Sequence, residues 1–344
     1  MRIAIIGSGA MGTILVAFLA KKGYDLELID NDQEHVDALN KHGAKIVGTQ
    51  TFTTGVRAMM PEQMSGIYDL ALLLTKQTAN HLVLPHLLLF LNEASTVCTL
   101  QNGVPEPSVA SYVGQGRTIG GASNWSATFV GPGVSELTQD LKNTAHSFDL
   151  GEMSGPVTPR TRQIANILGE MGRPVKLTDS LMASRYGKLV LNACVSGMSA
   201  VCGMKFGEVL EHPIARACVS HIGHEVKKIC EADGYQLPTV LGYSMDTLAL
   251  KDQAMFEANG RMLMKLYQPA WQGKASMLQD LEKGLPTEVK LINGFVSEGG
   301  LKHGIPTPFN DKVVEIITKI EQNKCICSVD NLKLFPEAAF LFRA

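Results

Sequence analysis

The chain has 344 residues, of which 45% are hydrophobic, and its formal net charge at pH 7 is −2. This length exceeds what one hydrophobic core usually organises, so two domains are expected, and the apolar content is enough to bury both cores. The lysines and arginines are scattered and form no basic face, so a nucleic-acid partner is not expected.

The first 30 residues hold the parts of a dinucleotide-binding unit in the required order. The apolar run Ile3–Ile6 predicts a buried parallel strand, and the pattern G-x-G-x-x-G follows it, with a helix expected from Met11 to Lys22. The first glycine allows a tight turn, the second lets the backbone approach a pyrophosphate and the third lets the helix pack close to the strand. The N-terminal N–H groups of the helix then point at the phosphates. The expected cofactor contacts are Gly7, Ser8, Gly9, Ala10, Met11 and Gly12.

A carboxylate follows the second predicted strand, Leu26–Ile29. Asp30 in that position can accept hydrogen bonds from both ribose hydroxyls of NAD and would repel the 2′-phosphate of NADP. The next three residues, NDQ, carry no positive charge that could hold this phosphate. NAD is therefore the expected cofactor, with NADH favoured over NADPH. The alternative is that Asp30 only caps the helix expected from Asn31 to His42.

Two further buried strands are expected at residues 69–74 and 96–100, and polar residues follow both of them. Lys76 comes after the first and Asn102 after the second. In an open parallel sheet ligands bind beyond the carboxyl ends of the strands, so both residues are candidates for contact with cofactor or substrate. The apolar run 82–91 is interrupted by Pro85, and the run 70–74 is too short to span a bilayer, so neither a membrane helix nor a membrane partner is expected.

Later strands at residues 117–126, 147–150 and 175–177 and an amphipathic helix at 158–171 complete the first domain. The sequence thus predicts an α/β domain of Rossmann type over residues 1–179, with a doubly wound, mostly parallel sheet. From Asp179 onward helical periodicity replaces the strand pattern. Residues 180–344 are therefore expected to form an all-α domain.

The helix expected over residues 180–204 carries Lys188, Asn192 and Ser196 at positions i, i+4 and i+8. This spacing places three polar side chains near one face of a helix that is otherwise apolar. Low-dielectric surroundings lower the pKa of a lysine toward the range useful for proton transfer, whereas the alternative is a lysine that extends to solvent. Ser276 and Glu288 are further candidates, for which helix capping is the alternative.

The seven cysteines have no framework spacing and follow no secretory segment, which indicates reduced thiols in the cytoplasm. Cys325 and Cys327 form a C-x-C pair near the end of the chain. Because no second pair of ligands lies nearby, we interpret them as packing residues of the tail, and no metal site is expected.

The chain resembles the ketopantoate reductase family over nearly its whole length, in the motifs MRIAIIGSGAMG, LLLTK, LQNGV, RYGKLVLNACVSGMSAV, KASMLQDLEKGLPTEVKLINGF and HGIPTPFN. The resemblance implies reduction of a 2-oxo acid to a D-2-hydroxy acid, in a cleft between a Rossmann domain and a helical domain, by an enzyme expected to be a homodimer. It implies that Lys188 protonates the carbonyl oxygen and that Glu288 orients this lysine or the nascent hydroxyl. The implied substrate contacts are Asn102, Asn192, Ser196 and Ser276, and Lys76 is expected beside the nicotinamide and its ribose.

Two positions depart from the family members of the pantothenate pathway, which usually carry asparagine where Ser196 and Phe206 stand. In those members the second asparagine helps to bind the hydroxyl end of the substrate, so Phe206 suggests a less polar acyl group. Related members are NAD-dependent dehydrogenases of D-2-hydroxy acids with branched or aromatic side chains. The alternatives are 2-dehydropantoate 2-reductase proper, an oxidoreductase of amino or imino acids, and a non-catalytic NAD-binding regulator.

Overall fold

The computed structural model describes residues 1–337 and residue 341. The chain divides into two compact units, residues 1–181 and residues 182–344. The last residues of the helical domain expected from the sequence, 338–340 and 342–344, lie outside the described residues. In the part that the structure describes, every helix is too short or too polar to cross a membrane.

The first unit is an α/β structure. Its strands are β1 (Ile3–Ile6), β2 (Leu26–Ile29), β3 (Ala44–Gly48), β4 (Phe52–Thr54), β5 (Ala58–Met59), β6 (Leu70–Leu73), β7 (Thr96–Thr99), β8 (Thr118–Ser123), β9 (Ala127–Gly131), β10 (Val134–Leu137), β11 (Phe148–Glu152) and β12 (Val175–Leu177). Its helices are α1 (Ala10–Lys21), α2 (Gln33–His42), α3 (Asn80–Leu87), α4 (Glu106–Val113) and α5 (Pro159–Gly169).

The main sheet has the strand order β12-β11-β8-β7-β6-β1-β2-β5. Its neighbouring strands are parallel except for the antiparallel pair β8 and β11. The chain leaves β1 toward β2 on one side and returns to β6 on the other side, so the order reverses at β1. Such a reversal opens a crevice beyond the carboxyl ends of the strands, where ligands bind. The predicted doubly wound Rossmann sheet is confirmed.

The burial of strand β1 shows that the sheet is covered on both faces. All four of its residues are buried, and they alternate between two cores. Ile3 and Ile5 pack in the core that contains α1 and α5, whereas Ala4 and Ile6 pack in the core that contains α3 and α4. A strand buried on both faces has an uninterrupted apolar sequence, as this one does.

A second, four-stranded sheet with the order β4-β3-β10-β9 was not expected from the sequence. Its strands lie within residues 44–54 and 127–137, and it combines the parallel pair of β3 and β10 with antiparallel pairs at its edges. The pattern is difficult to recognise in the sequence because β4 is partly exposed along its whole length and therefore has no clear apolar face.

The second unit is helical, as predicted. Its helices are α6 (Leu181–Leu191), α7 (Gly197–Cys202), α8 (Phe206–Glu211), α9 (Pro213–Ala232), α10 (Gln253–Tyr267), α11 (Ser276–Glu282), α12 (Val289–His303) and α13 (Pro308–Glu321). Residues Asn192–Ser196, between α6 and α7, form a π-helical turn. The single α-helix expected over residues 180–204 is therefore corrected to two α-helices that are joined by a π turn.

Polar contacts to Asp233 hold α6 in this unit. The hydroxyl of the fully buried Tyr186 donates to Asp233 Oδ2 at 2.5 Å, and Lys302 and His303, at the end of α12, contact Asp233 Oδ1 at 2.7 Å. Burial raises the pKa of the Asp233 carboxyl, but the hydrogen bonds from Lys302, Tyr186 and His303 outweigh burial and hold that pKa at about 2. Asp233 is therefore ionised at neutral pH and ties α6 to α12.

The segment after α13 folds back onto the end of α7. The backbone N–H of Ser328 and the side-chain amide of Asn331 both donate to the carbonyl of Val201, at 3.1 and 2.9 Å. Cys325 Sγ lies 3.3 Å from Asn331 Oδ1. Among residues 1–337, the seven cysteines are free thiols and no cluster of three histidine, cysteine or acidic side chains could hold a metal ion.

Candidate active site

Two glycines set the shape of the turn between β1 and α1. Gly7 has φ +97°, and a Cβ there would lie 2.7 Å from the backbone nitrogen of Thr75. A Cβ at Gly12 would lie 2.0 Å from the carbonyl oxygen of Gly7. Both distances are too short for a side chain, so only glycine lets the helix and the end of β6 approach the turn this closely.

Gly9 has a different environment. It is exposed, and a Cβ there would meet no described heavy atom within 4 Å. Gly9 is also the N-cap of α1, which has neither a side-chain cap nor an acidic residue in its first turn. The first N–H groups of this helix are thus available to an anion. These features fit the pyrophosphate of a dinucleotide.

Asp30 stabilises the glycine-rich turn through hydrogen bonds. It also follows β2, where the ribose of the cofactor is expected. Its Oδ2 accepts hydrogen bonds from the backbone N–H and the hydroxyl of Ser8, at 2.6 and 2.7 Å, and its Oδ1 accepts from the N–H of Asp32 at 3.0 Å. The alternative that Asp30 only caps the next helix is wrong, because Asp32 is the N-cap of α2 and accepts from His35 N–H at 3.2 Å. A carboxylate has about four acceptor sites, so with three in use one remains for a ribose hydroxyl, and not the two that the sequence led us to expect.

Thr13 and His35, which the sequence analysis did not single out, also stabilise the glycine-rich turn. The carbonyl of Ser8 contacts Thr13 Oγ1 at 2.5 Å and His35 Nε2 at 2.9 Å. Because the N–H of Gly133 donates to His35 Nδ1 at 2.9 Å, the proton of the neutral ring is on Nε2, which therefore donates to Ser8. The signal that could have identified His35 is its position beside Val36 and Leu39 on the apolar face of α2.

The ends of β6 and β7, which are neighbours in the sheet, are joined by side-chain amides. Gln101 Nε2 donates to the Thr75 carbonyl at 2.9 Å and to Asn80 Oδ1 at 2.7 Å, and Gln77 donates to the carbonyl of Asn102. Lys76 and Asn102, the two predicted contacts, are half-buried and lie three residues beyond the ends of β6 and β7. The structure thus places both at the carboxyl edge of the sheet, near the reversal in strand order.

In the second unit, the polar face on α6 and the π turn lies among buried neighbours. Lys188, Asn192 and Ser196 are each partly exposed, whereas Leu189 and Val195 are fully buried. The predicted α-helical spacing holds only as far as Leu191, because both Asn192 and Ser196 lie in the π turn. π turns inside α-helices are rare and are frequent at functional sites.

Ser276 and Glu288 do not cap helices through their side chains, which was the alternative to a functional role. Ser276 is exposed and is the first residue of α11, after the N-cap residue Ala275. Glu288 is buried and is the N-cap residue of α12, which has no side-chain cap. Thr287 instead has the structural role, since its hydroxyl donates to Glu321 at 2.6 Å.

In the second unit, Phe206 is half-buried and Asn293 is fully buried. The ring of Phe206 packs edge-to-face on Tyr267, with ring centres 5.5 Å apart, and lies so close to Gly273 that a Cβ there would be 2.9 Å from the ring. Asn293 is fully buried, and its amide donates to the carbonyl of Ala193 at 3.1 Å. The side chain of Asn293 therefore contacts the interior of the unit and not solvent.

Comparison with known proteins identifies two matching family models that together span most of the chain. Residues 3–151 match "Ketopantoate reductase PanE/ApbA", and residues 180–321 match its C-terminal counterpart. The 2-dehydropantoate 2-reductase of Archaeoglobus fulgidus is 26% identical over 93% of this chain and 98% of its own length. The enzyme of the same name from Lactococcus lactis is also 26% identical, over 94% of this chain and 98% of its own.

Solved structures have the same fold. A 2-dehydropantoate 2-reductase from Geobacter metallireducens has a TM-score of 0.78 and 26% identity, covering 93% of this chain and 99% of its own. A D-mandelate dehydrogenase, solved as a ternary complex with NADH and anilino(oxo)acetate, has a TM-score of 0.81 at 23% identity, covering 94% and 99% of the two chains.

The environments of Gly9 and Gly12 predict different outcomes for the same substitution. Gly12→Ala should lower the unfolding free energy by about 2 kcal/mol or more, because its Cβ clashes with backbone. Gly9→Ala should change stability by less than about 0.5 kcal/mol but raise the Kd for NADH at least ~10-fold, because its Cβ occupies the surface that a pyrophosphate needs. Denaturant unfolding measures the stability, and fluorescence titration measures the Kd for NADH. Equal losses of stability in both variants would contradict the assignment of Gly9 to the pyrophosphate site.

Proposed function

The chain belongs to the ketopantoate reductase family, and on this premise we propose that it reduces a 2-oxo acid to the D-2-hydroxy acid, with NADH as the favoured donor and Lys188 as the general acid. The chain is an oxidoreductase that uses a nicotinamide cofactor and acts on a small keto or hydroxy acid. The observation that carries the proposal is the partly exposed Lys188 among buried neighbours on a largely buried helix, in a chain whose glycine-rich turn fits a dinucleotide.

When bound, a nicotinamide cofactor would supply the hydride that C2 of the acid accepts. As the carbonyl oxygen gains negative charge, the Lys188 ammonium stabilises that charge and delivers a proton, which contributes roughly 10²–10⁴-fold to the rate. Glu288 orients Lys188 or the nascent hydroxyl. Asn102, Asn192, Ser196 and Ser276 hold the substrate, and Lys76 lies beside the nicotinamide ribose. These roles rest on the match of the family's motifs to these positions.

We assign the cofactor to a dinucleotide-binding domain, residues 1–179, and the substrate contacts to a substrate and dimerisation domain, residues 180–344. Asn102 is the exception and belongs to the first domain. We further propose that the enzyme is a homodimer and acts in the cytoplasm, a location in which its free thiols stay reduced. Size-exclusion chromatography with light scattering tests the dimer directly, since a monomer at micromolar concentration would contradict it.

The second candidate function is reduction of ketopantoate itself. It is favoured by the curated relatives that bear the name 2-dehydropantoate 2-reductase over almost their full lengths. A non-catalytic regulator is disfavoured, because Lys188, Asn192, Ser276 and Glu288 are all present. Oxidation of NADH followed at 340 nm, with ketopantoate, 2-ketoisovalerate and phenylglyoxylate as substrates, separates the three possibilities.

Lys188→Ala should lower kcat by at least about 10²-fold and leave the Kd for NADH nearly unchanged, because the lysine acts on the oxo acid and not on the cofactor. Glu288→Ala should also lower kcat, because it affects the same proton transfer. A double variant no worse than the single ones would indicate that the pair acts as a unit. If Lys188→Ala retains full turnover, the lysine is structural and another group donates the proton.

The charge of Asp30 should set the cofactor preference. We expect a higher kcat/KM with NADH than with NADPH, because the carboxylate repels a 2′-phosphate. Asp30→Asn removes the charge and keeps an acceptor for Ser8 N–H, so it should narrow the preference at least ~10-fold, mainly through better use of NADPH. Asp32→Asn is the matched control, because asparagine caps a helix as well as aspartate does. A wild-type preference for NADPH would overturn the assignment.

Phe206 and Ser196 should favour an apolar substituent on C2. A substrate hydroxyl that is buried without a partner costs about 1–3 kcal/mol, or roughly 5- to 150-fold in kcat/KM. We therefore expect 2-ketoisovalerate or phenylglyoxylate to be reduced with a higher kcat/KM than ketopantoate, and Phe206→Asn to shift the ratio toward ketopantoate. A tenfold advantage for ketopantoate in the wild type would establish the second candidate function instead.

A further inference from the structure

The π turn Asn192–Ser196 is contacted by side chains from two other helices. The hydroxyl of Tyr267, at the end of α10, donates to the carbonyl of Leu191 at 2.9 Å. The amide of Asn293, on α12, donates to the carbonyl of Ala193 at 3.1 Å. Hydrogen bonds thus reach the backbone immediately before the turn and within it. A change from α- to π-type hydrogen bonding disturbs the regular pairing of carbonyls, so external donors can stabilise it.

The amide of Asn293 is itself oriented by a chain of buried groups. Its Nδ2 also donates to Asn310 Oδ1 at 2.9 Å, and Asn310 Nδ2 donates to Glu225 Oε2 at 2.7 Å. Glu225 in addition accepts the N–H groups of Phe309 and Asn310, both at 2.9 Å, in the first turn of α13. Reversing the Asn293 amide would set oxygen against oxygen, so the network allows only the orientation that donates to Ala193.

Retaining an asparagine at this position has a cost. Asn293 is fully buried, and its Oδ1 accepts no hydrogen bond from any residue among 1–337. A buried acceptor without a hydrogen-bond partner lowers the stability of the fold. The same Oδ1 is so close to Gly197 that a Cβ there would lie 3.2 Å away. The two hydrogen bonds that the amide donates are therefore its contribution here, and the residue after the turn, Gly197, leaves room for the amide beside it.

The hydrogen-bonding type of the turn decides where Ser196 points relative to Lys188. Each residue of an α-helix advances about 100° around the axis, and a π turn contains one residue more than the α-turn that it replaces. Conversion of Asn192–Ser196 to an α-helix would therefore change the direction of Ser196 relative to Lys188 on α6 by up to about 100°. The three residues would keep the approximate common face that regular spacing gives them, but Ser196 would no longer point in the direction that it has in this structure.

We propose that Tyr267 and Asn293 are positioning residues that keep this segment in the π conformation and thereby direct Asn192 and Ser196 toward the 2-oxo acid. The proposal rests on the proposed function in taking these two side chains as substrate contacts. Tyr267 and Asn293 act through the carbonyls of Leu191 and Ala193 and do not touch the acid themselves.

Two variants test this with small changes in volume. Tyr267→Phe deletes one hydroxyl and retains the ring that packs on Phe206, and Asn293→Leu replaces the amide by an apolar group. Each should raise KM for the preferred 2-oxo acid about 10-fold or more, while kcat falls less than about 3-fold and the Kd for NADH stays unchanged. Mere destabilisation would instead reduce the active fraction, which lowers apparent kcat and leaves KM as it was.

Asn331→Leu is the matched control. Asn331 is also a buried amide, and it also donates to a carbonyl of the same helical segment, Val201 at 2.9 Å, but outside the π turn. Its KM for the acid should equal that of the wild type. A rise in KM of the same size in this control, or an unchanged KM in both Tyr267→Phe and Asn293→Leu, would overturn the proposal.

A crystal structure of Asn293→Leu, or of Tyr267→Phe if the first variant does not fold, supplies a readout that is independent of activity. We expect residues 192–196 to lose the π conformation, and an unaltered π turn would overturn the proposal. If the wild type reduces no 2-oxo acid, the proposed function fails. The crystal structure then still decides whether these side chains maintain the turn.

Discussion

The close backbone approach at Gly7 and Gly12 is the constraint on which the first unit depends. A Cβ at Gly12 would lie 2.0 Å from the carbonyl of Gly7, so α1 starts in contact with the end of β1. That contact aims the uncapped N-terminus of α1 at the crevice where the strand order reverses. Hydrogen bonds from Ser8 to Asp30 then tie the turn to the end of β2. The site is therefore built mainly from backbone, and it changes little with side-chain rotamers.

The second unit orders its polar face by a different means. The face lies on a helical segment with one π turn, and buried side chains from α10 and α12 contact the carbonyls around that turn. The supporting chain ends at Glu225, where burial raises the pKa of the carboxyl to about 7 although three hydrogen bonds to it act in the opposite direction. Buried polar groups of this kind are costly unless nearly all are satisfied, so the arrangement specifies one conformation of the helix.

Predictions from the sequence were most accurate where local pattern and tertiary structure agree. The strand Ile3–Ile6 and the helix that follows it are within one residue of their expected bounds, since a glycine motif and an apolar run mark both. The small sheet of β3, β4, β9 and β10 was missed, because its strands come from distant parts of the chain and one edge is half-exposed. His35 was missed for a similar reason, because its partners Ser8 and Gly133 are far from it in sequence.

The sequence by itself determined the fold class, the position of the glycine-rich turn and the polar face of Lys188, Asn192 and Ser196, because each is encoded by residues a few positions apart. Only the tertiary structure decided that this face passes through a π turn, that Asp32 rather than Asp30 caps α2, and that Asn293 is an interior support. The physical reason is that these features depend on hydrogen bonds between residues whose pairing the folded chain creates. Helical spacing alone describes a regular helix, and the irregular turn is stabilised by donors about 75 and 100 residues away.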